Sequence, residues 1–410
     1  MVDTFGDALR VLREAAGMTI PALAAKVNYS KGYLGNVETG ERRPTPDLAA
    51  ACDRVLDAGG FLVLLAACER AGGDEMKRRV LLNGLAMLNG MALLRGAGAA
   101  KVGVLADAVR ASLAAALGTR SLEAWLALCE EHGRRCMTDP PSEMQSALLG
   151  DLLVLRQQLP EDDRKELRAV AAKLTTLYAM TIASIGDTQG AVGWYWTAKK
   201  AADASEDQNL TAWVRGREVL RSDYDGYATP DRILAFVRTS SGLADGPSIA
   251  RMEIMVAAAR AYARIGDHKQ AHDAYEQARR AYDAIPHLTS DAESMYYLPE
   301  WRFRLRGAFV YAMAGDVATV DRIIAEVAAA RPAGLLRWGV QMDLNRALAA
   351  ARAGDHDPAL ALAVPTVERT PTAQHTQTMR QLVGALCSAL PNSTHHRDAV
   401  VHLRGLVAAG

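Results

Sequence analysis

The feature that most limits what this chain can fold into is a dipeptide, Gly-Asp, that recurs with the same neighbours. Gly266-Asp267 follows Ala259 by seven residues and Tyr262 by four, and precedes Ala271, Tyr275 and Ala278. Around Gly186-Asp187 the same places hold Ala179, Ile182, Ala191, Tyr195 and Ala198. Around Gly315-Asp316 they hold Ala308, Tyr311, Val320, Ile324 and Val327. A weaker copy around Gly354-Asp355 has Ala347, Ala350, Ala359 and Ala363. On both sides of each pair the apolar residues fall three and four apart, the spacing of one helix face. Glycine ends a helix in the left-handed conformation, and aspartate caps the next. Each copy therefore predicts two helices joined by a tight turn, with a small alanine that lets them touch.

The rest of the sequence agrees on helix. Alternating β-branched runs are absent and aromatics make up only 6% of the chain. Prolines such as Pro44, Pro140, Pro160, Pro230, Pro286, Pro332 and Pro371 cut the sequence into stretches that suit one or two helices each. The expected class is all-α. The Gly-Asp pairs lie 80, 49 and 39 residues apart, so the array is irregular. A degenerate unit over Trp213–Thr239 is expected to fill the longest gap, and helices near 372–389 and 395–408 to close the end.

This pattern resembles the tetratricopeptide repeat, a helical hairpin of about 34 residues. The resemblance implies an α-solenoid over residues 166–410, with a concave groove lined by the first helix of each pair. By that analogy Lys173, Trp213, Arg217, Glu253, Arg260, Arg302 and Gln341 face the groove. As a set they form a charged and aromatic lining suited to a peptide or small-molecule effector. A plainer reading stays open for each: Trp213 as core, and the arginines paired with acidic residues such as Glu253.

The first 72 residues divide into five short helices. Thr4, Thr19 and Ser30 are caps, and Thr45 or Asp47 starts the fourth helix. Apolar residues follow each cap at helical spacing: Phe5, Ala8, Leu9 and Leu12, then Ile20, Leu23, Ala24 and Val27, then Tyr33, Leu34 and Val37, then Leu48, Ala51, Cys52 and Val55. Gly17, Asn28-Tyr29 and Gly40 mark the turns, and Phe61–Cys68 supplies a fifth helix. Two short helices across a tight turn are the geometry of a helix-turn-helix, and the small pair Ala24-Ala25 is suited to their close approach.

Here the sequence resembles the Xre, or lambda-repressor-like, family. The resemblance runs through Leu9-Arg10, Leu12-Arg13-Glu14, Gly17-Met18-Thr19, Leu23-Ala24 and Tyr29 to Glu38, then Gly40 and Arg42-Arg43-Pro44. It implies double-stranded DNA as partner. Lys31, Tyr33, Gly35 and Asn36 would enter the major groove, since the N-terminal part of a recognition helix reaches base edges. Thr19, Ser30, Arg42 and Arg43 would hold phosphates, and Glu38 would make an internal pair. Ile20-Pro21 and Gly35 depart from the polar pair and the serine common in the family, which removes polar contacts to DNA.

Charge is consistent with a local reader. The chain has 47 Lys and Arg against 47 Asp and Glu, which argues against a protein that wraps polyanions along its length. Residues 1–72 carry a net charge of −1, yet Lys26 to Arg43 carry +2, and Lys77 to Arg110 carry +5. That last basic stretch sits in an expected connector over residues 73–165, and stands either as extra phosphate contact or as a solvated helix end. The glycines there, Gly84, Gly90, Gly96, Gly98 and Gly103, weaken helix.

Other classes find little support. Five cysteines, none in a C-x-x-C, argue against a disulfide framework or a zinc knot. His268 and His272 lie four apart on a helix without a third ligand, and His395-His396 stands in a polar turn. Nucleotide-loop, serine-hydrolase and metalloprotease motifs are absent. No catalytic residue, metal or cofactor is expected. The N-terminus lacks the basic and apolar regions of a signal peptide, and the longest clean apolar run, Phe61 to Cys68, is far short of a span. A cytoplasmic protein without membrane contact is expected.

An Xre-like reader joined to such an array is similar in layout to the peptide-sensing regulators of Gram-positive bacteria and to actinobacterial regulators. The resemblance implies a transcription regulator, a homodimer whose DNA affinity changes when the groove is filled. One helix-turn-helix buries only about 600–1,000 Å² on DNA, so two readers on a pseudo-palindrome are expected. The array is the favoured dimer seam and Phe61–Cys68 the other candidate. An alternative class stays open: an interaction scaffold whose helix-turn-helix answers to no ligand.

Overall fold

The computed structural model describes residues 4–56, 62, 63, 66, 120–159, 163–239, 248–285, 293–394 and 398–408. It divides into two compact units, Met1–Thr119 and Arg120–Gly410. Among the described residues every regular element is helical.

In the first unit four helices form: α1 (Phe5–Ala15), α2 (Ile20–Val27), α3 (Lys31–Glu38) and α4 (Pro46–Val55). All four begin on a side-chain oxygen. Thr4, Thr19, Ser30 and Thr45 each accept a hydrogen bond from the backbone N–H three residues on, which satisfies one of the donors a helix start leaves open. Asn28 closes α2 in the left-handed conformation at φ 58°. The predicted apolar faces pack together: Phe5, Ala8, Leu9, Leu23, Leu34, Val37, Leu48 and Cys52 are buried in one core, with Leu62 and Ala66. Ile20, Tyr33, Ala51 and Val55 are only partly buried against it, and of the pair Ala24-Ala25 only Ala24 is buried, Ala25 being exposed. The remainder of the expected fifth helix, Phe61–Cys68, lies outside the described residues, as do Lys77–Arg110 and His395-His396.

The second unit is an array of antiparallel pairs. Two helices of the stretch read as a connector, α5 (Leu122–Thr138) and α6 (Pro141–Gln158), pack against α7 (Lys165–Ser184). Hairpins follow: α7 with α8 (Thr188–Ser205), α9 (Gln208–Tyr224) with α10 (Pro230–Thr239), α11 (Ile249–Arg264) with α12 (His268–Asp283). Then come α13 (Glu300–Met313) with α14 (Val317–Ala330), and α15 (Leu336–Ala353) with α16 (His356–Glu368). Helices α17 (Gln377–Ala389) and α18 (Asp398–Ala408) end the array, α17 against α15 and α18 against α16. The gap between the first two Gly-Asp copies is filled by α9 and α10, the unit that Trp213–Thr239 predicted.

The Gly-Asp turns do what their chemistry requires. Gly186, Gly266, Gly315 and Gly354 have φ of 105°, 81°, 75° and 98°, a region where a Cβ is strained. Asp187, Asp267 and Asp316 each cap the next helix through a side-chain oxygen, while Asp355 stands at the cap position without that bond. Ala179, Ala259, Ala308 and Ala347, on the first helix of their pairs, are fully buried. One continuous core runs from α9 to α18, with Tyr275, Phe303 and Tyr282 stacked in it.

Candidate nucleic-acid interface and array interior

Helix α3 presents a short polar face. Leu34, Val37 and Glu38 point into the domain, while Lys31 and Asn36 are exposed and Tyr33 and Gly35 partly so. Thr19, Ser30, Arg42 and Arg43 are exposed around it. The residues assigned to base edges and those assigned to phosphates thus lie on or beside one helix. Tyr33 is held between two neighbours: its ring stacks on Tyr29 at 5.4 Å, and the Arg42 guanidinium lies 4.6 Å from its centroid. That cation–π contact places the Arg42 charge over the ring. Arg42 is anchored as well, its backbone N–H donating to the Asn36 carbonyl at 2.9 Å.

The pose of α3 is set by α1. Arg13 reaches Glu38 with Nε to Oε1 at 2.6 Å and Nη2 to Oε2 at 2.9 Å, and also donates to the Met18 carbonyl. The hydrogen bonds to Glu38 hold the Arg13 guanidinium above its ordinary pKa. Glu38 is therefore in an internal pair, as the family resemblance implies. Arg10 donates to the Glu38 carbonyl, at the helix end where cations are favoured. Gly6 was not singled out in the sequence. A Cβ there would stand 2.4 Å from the Val37 carbonyl oxygen and 2.7 Å from that of Glu38. Nothing local marks that requirement, because it comes from two helices meeting.

Within the array, the seven residues predicted for the groove separate into three groups. Arg217 and Glu253 pair with each other at 2.8 Å, fully inside, and Arg306 joins them at 3.4 Å. Burial lowers the Arg217 pKa against the pull of Glu253. Arg260 pairs with Asp223, as does Arg264 at 2.8 Å, and the Arg260 guanidinium lies between the Tyr224 and Phe309 rings at 4.0 and 3.9 Å. Lys173, Trp213 and Arg302 meet residues of the segment Glu293–Pro299. Lys173 Nζ is 5.1 Å from the Tyr296 ring and Trp213 is 5.7 Å from it, while Arg302 donates to the Ser294 and Tyr297 carbonyls. The same segment is tied to α5 by the Met295 N–H, which donates to the Gly133 carbonyl at 2.9 Å. Thus Arg217, Glu253 and Arg260 are engaged in ion pairs, and three more meet a segment of the chain itself.

Gln341 stands apart from the other six and lines a cavity of about 70 Å³ between α5, α6, α7, α9, α15 and α17, with Met295 in its wall. Arg337, one turn before it on α15, lines the same cavity and was missed in the sequence; the four-residue spacing to Gln341 was its one available signal. No group of three or more His, Cys, Asp or Glu residues that would suit a metal occurs among the described residues. Cys52, Cys129 and Cys136 are free and buried, Cys387 is buried, and burial pushes the Cys136 thiol up to about 12. None of the described helices is long and apolar enough to cross a membrane.

Residues 4–65 match a family model described as a helix-turn-helix domain. No curated protein and no solved structure matches the chain. Residues 4–65 thus form a helix-turn-helix domain, and a domain of this kind points to a DNA-binding regulator.

Proposed function

We propose that the chain is a sequence-specific transcription regulator of the Xre type, which reads DNA as a homodimer and whose tetratricopeptide-like array senses a small effector. In this reading residues 1–72 are the DNA-binding domain, 73–165 the connector, and 166–410 the sensing and dimerising array, and the protein works in the cytoplasm. The observation that carries the reading is the face of α3. A Ser30-capped helix presents Lys31, Tyr33, Gly35 and Asn36, with Arg42 and Arg43 beside them, while Arg13 and Arg10 fix its other end. Base edges require short, rigidly placed donors and acceptors, and phosphates require cations at the rim. Both are present on one surface. The array supports a second role, since an effector site and a dimer seam need more surface than a single reader has.

Selection of duplexes from a random pool by the full chain tests the first part. The expected outcome is a two-half-site consensus whose binding weakens with salt as phosphate contacts demand. Enrichment of no sequence would remove the claim of specific reading. Sedimentation of the 44.0 kDa chain tests the second part: a dimer is expected at micromolar concentration, and a monomer alone, with and without the selected duplex, would contradict it.

A further inference from the structure

The cavity in the array is cationic and has no carboxylate in its wall. Arg221 and Arg337 line it, with no Asp or Glu among the lining residues. Arg221 is already matched, by two hydrogen bonds to Asp225 at 2.6 and 2.9 Å. Arg337 is not. Among the described residues it has no ion-pair partner, and its hydrogen bond goes to the Cys136 carbonyl at 2.6 Å. Arg217 has Glu253 and Arg260 has Asp223, while Arg302, like Arg337, is met by backbone carbonyls, but does not line this cavity. A largely enclosed guanidinium with only the more distant Asp139 carboxylate to balance it is costly to keep, and a bound anion would offset that cost.

Neutral donors stand beside it. The Gln341 amide and the Thr378 hydroxyl line the cavity, and among the described residues neither side chain has a hydrogen-bond partner. The first turns of α6 and α15 also reach the wall, and both helices begin without a side-chain cap, at Pro140 and Leu335. Helix starts of this kind favour negative charge. The rest of the wall is mostly apolar, with Met144, Met180, Met295 and Trp338, and its other hydroxyls, of Thr181, Ser184 and Thr376, are bonded to the backbone of their own helices. A doubly charged phosphate suits one uncommitted guanidinium and thioether walls poorly. A singly charged carboxylate on a small apolar body suits both.

We infer that this cavity binds an amphiphilic small carboxylate, its charge on Arg337 with Gln341 and Thr378, its apolar part against the methionines and Trp338. The ligand bridges α6 and α9, early in the second unit, to α15 and α17, late in it. Occupancy therefore ties the two ends of the array together. This deepens the sensing part of the proposed function and rests on that reading only for its consequence on DNA.

The test is isothermal titration of the full chain, without DNA, with hexanoate, hexanol, inorganic phosphate, a tripeptide with a free C-terminus and the same tripeptide amidated. Hexanoate is expected to bind saturably and at least tenfold more tightly than hexanol or phosphate. The free tripeptide exceeding hexanoate, with its amide silent, would identify a peptide terminus as the source of the carboxylate. Arg337→Gln is expected to weaken carboxylate binding at least tenfold, and Gln341→Leu to weaken it severalfold. Should Arg337→Gln fail to fold, Gln341→Leu decides alone. Equal binding of hexanoate and hexanol, no binding of any carboxylate, or full binding by the folded variants would overturn the inference. Carboxylate binding that leaves DNA affinity unchanged upholds the site and rejects only the effector reading.

Discussion

Arg13 grips Glu38 with two parallel hydrogen bonds, of 2.6 and 2.9 Å, across 25 residues of sequence. The fork of one side chain meets both oxygens of the other, and both groups lie almost wholly inside the domain. The pair joins the end of α1 to the end of α3, and so fixes the pose of α3. Removing one partner leaves the other charge buried and unmatched. Arg13→Ala or Glu38→Ala is expected to cost about 3–5 kcal/mol, seen as a loss of the first unit's cooperative melting transition. A variant that melts like the wild type would show that the pair contributes nothing to the pose of α3.

Gly6 sets the distance between the same two helices. A methyl group there would press on the Val37 carbonyl oxygen, backbone that has no free torsion to move aside. Gly6→Ala is expected to destabilise the unit by about 1–3 kcal/mol and to weaken DNA binding through a shifted α3. Chemical denaturation measures the first effect. Unchanged stability would mean that α1 and α3 meet further apart.

Gly35 presents the opposite case. A Cβ there meets nothing within 4 Å, and the glycine lies on the outer part of α3. Gly35→Ser is expected to hold or slightly raise stability, by up to about 0.5 kcal/mol, since serine is the better helix former. The new hydroxyl is expected to alter which duplexes the chain selects. An unchanged consensus would place position 35 off the base-reading surface.

Asp223 ties the array's stability to acid. Burial alone would push its carboxyl up, but the Arg260 and Arg264 guanidiniums more than offset this and hold it below its ordinary value. A carboxyl whose folded pKa is depressed adds stability that is full above the unfolded value, about 4, and is lost as pH falls through the folded one. Asp223→Asn is expected to lose about 3–5 kcal/mol at neutral pH and to flatten the dependence below about pH 4. Parallel acid limbs for the wild type and the variant would deny Asp223 that part.

Capping and turn chemistry are local, which is why they were legible. Ser30 needs only the N–H of Tyr33, and Gly266-Asp267 needs only its own helix ends, so sequence alone placed them. The buried face of each short helix followed from spacing for the same reason. The requirement at Gly6 was hidden, because it depends on where another helix lies. The array interior was legible only in part. The resemblance to the repeat put Lys173, Trp213 and Arg302 on inward faces, but nothing in their own helices foretold that Tyr296 and its neighbours would lie against them. The pairing of Arg260 with Asp223 spans 37 residues and two helices, beyond the reach of a pattern confined to one.

Base reading by α3 is the central claim, and Asn36 tests it most directly. Its side chain is exposed on α3, apart from the domain core, so its loss should not disturb the fold. Fluorescence anisotropy of the full chain on its selected duplex and on a scrambled one, across a salt series, makes the measurement. Asn36→Ala is expected to lose about 1–3 kcal/mol on the selected duplex and little on the scrambled one, with the salt slope kept. Arg43→Ala is expected to weaken both alike and reduce the slope by about one. Equal affinity of Asn36→Ala and the wild type for the selected duplex, at every salt concentration, would contradict the account.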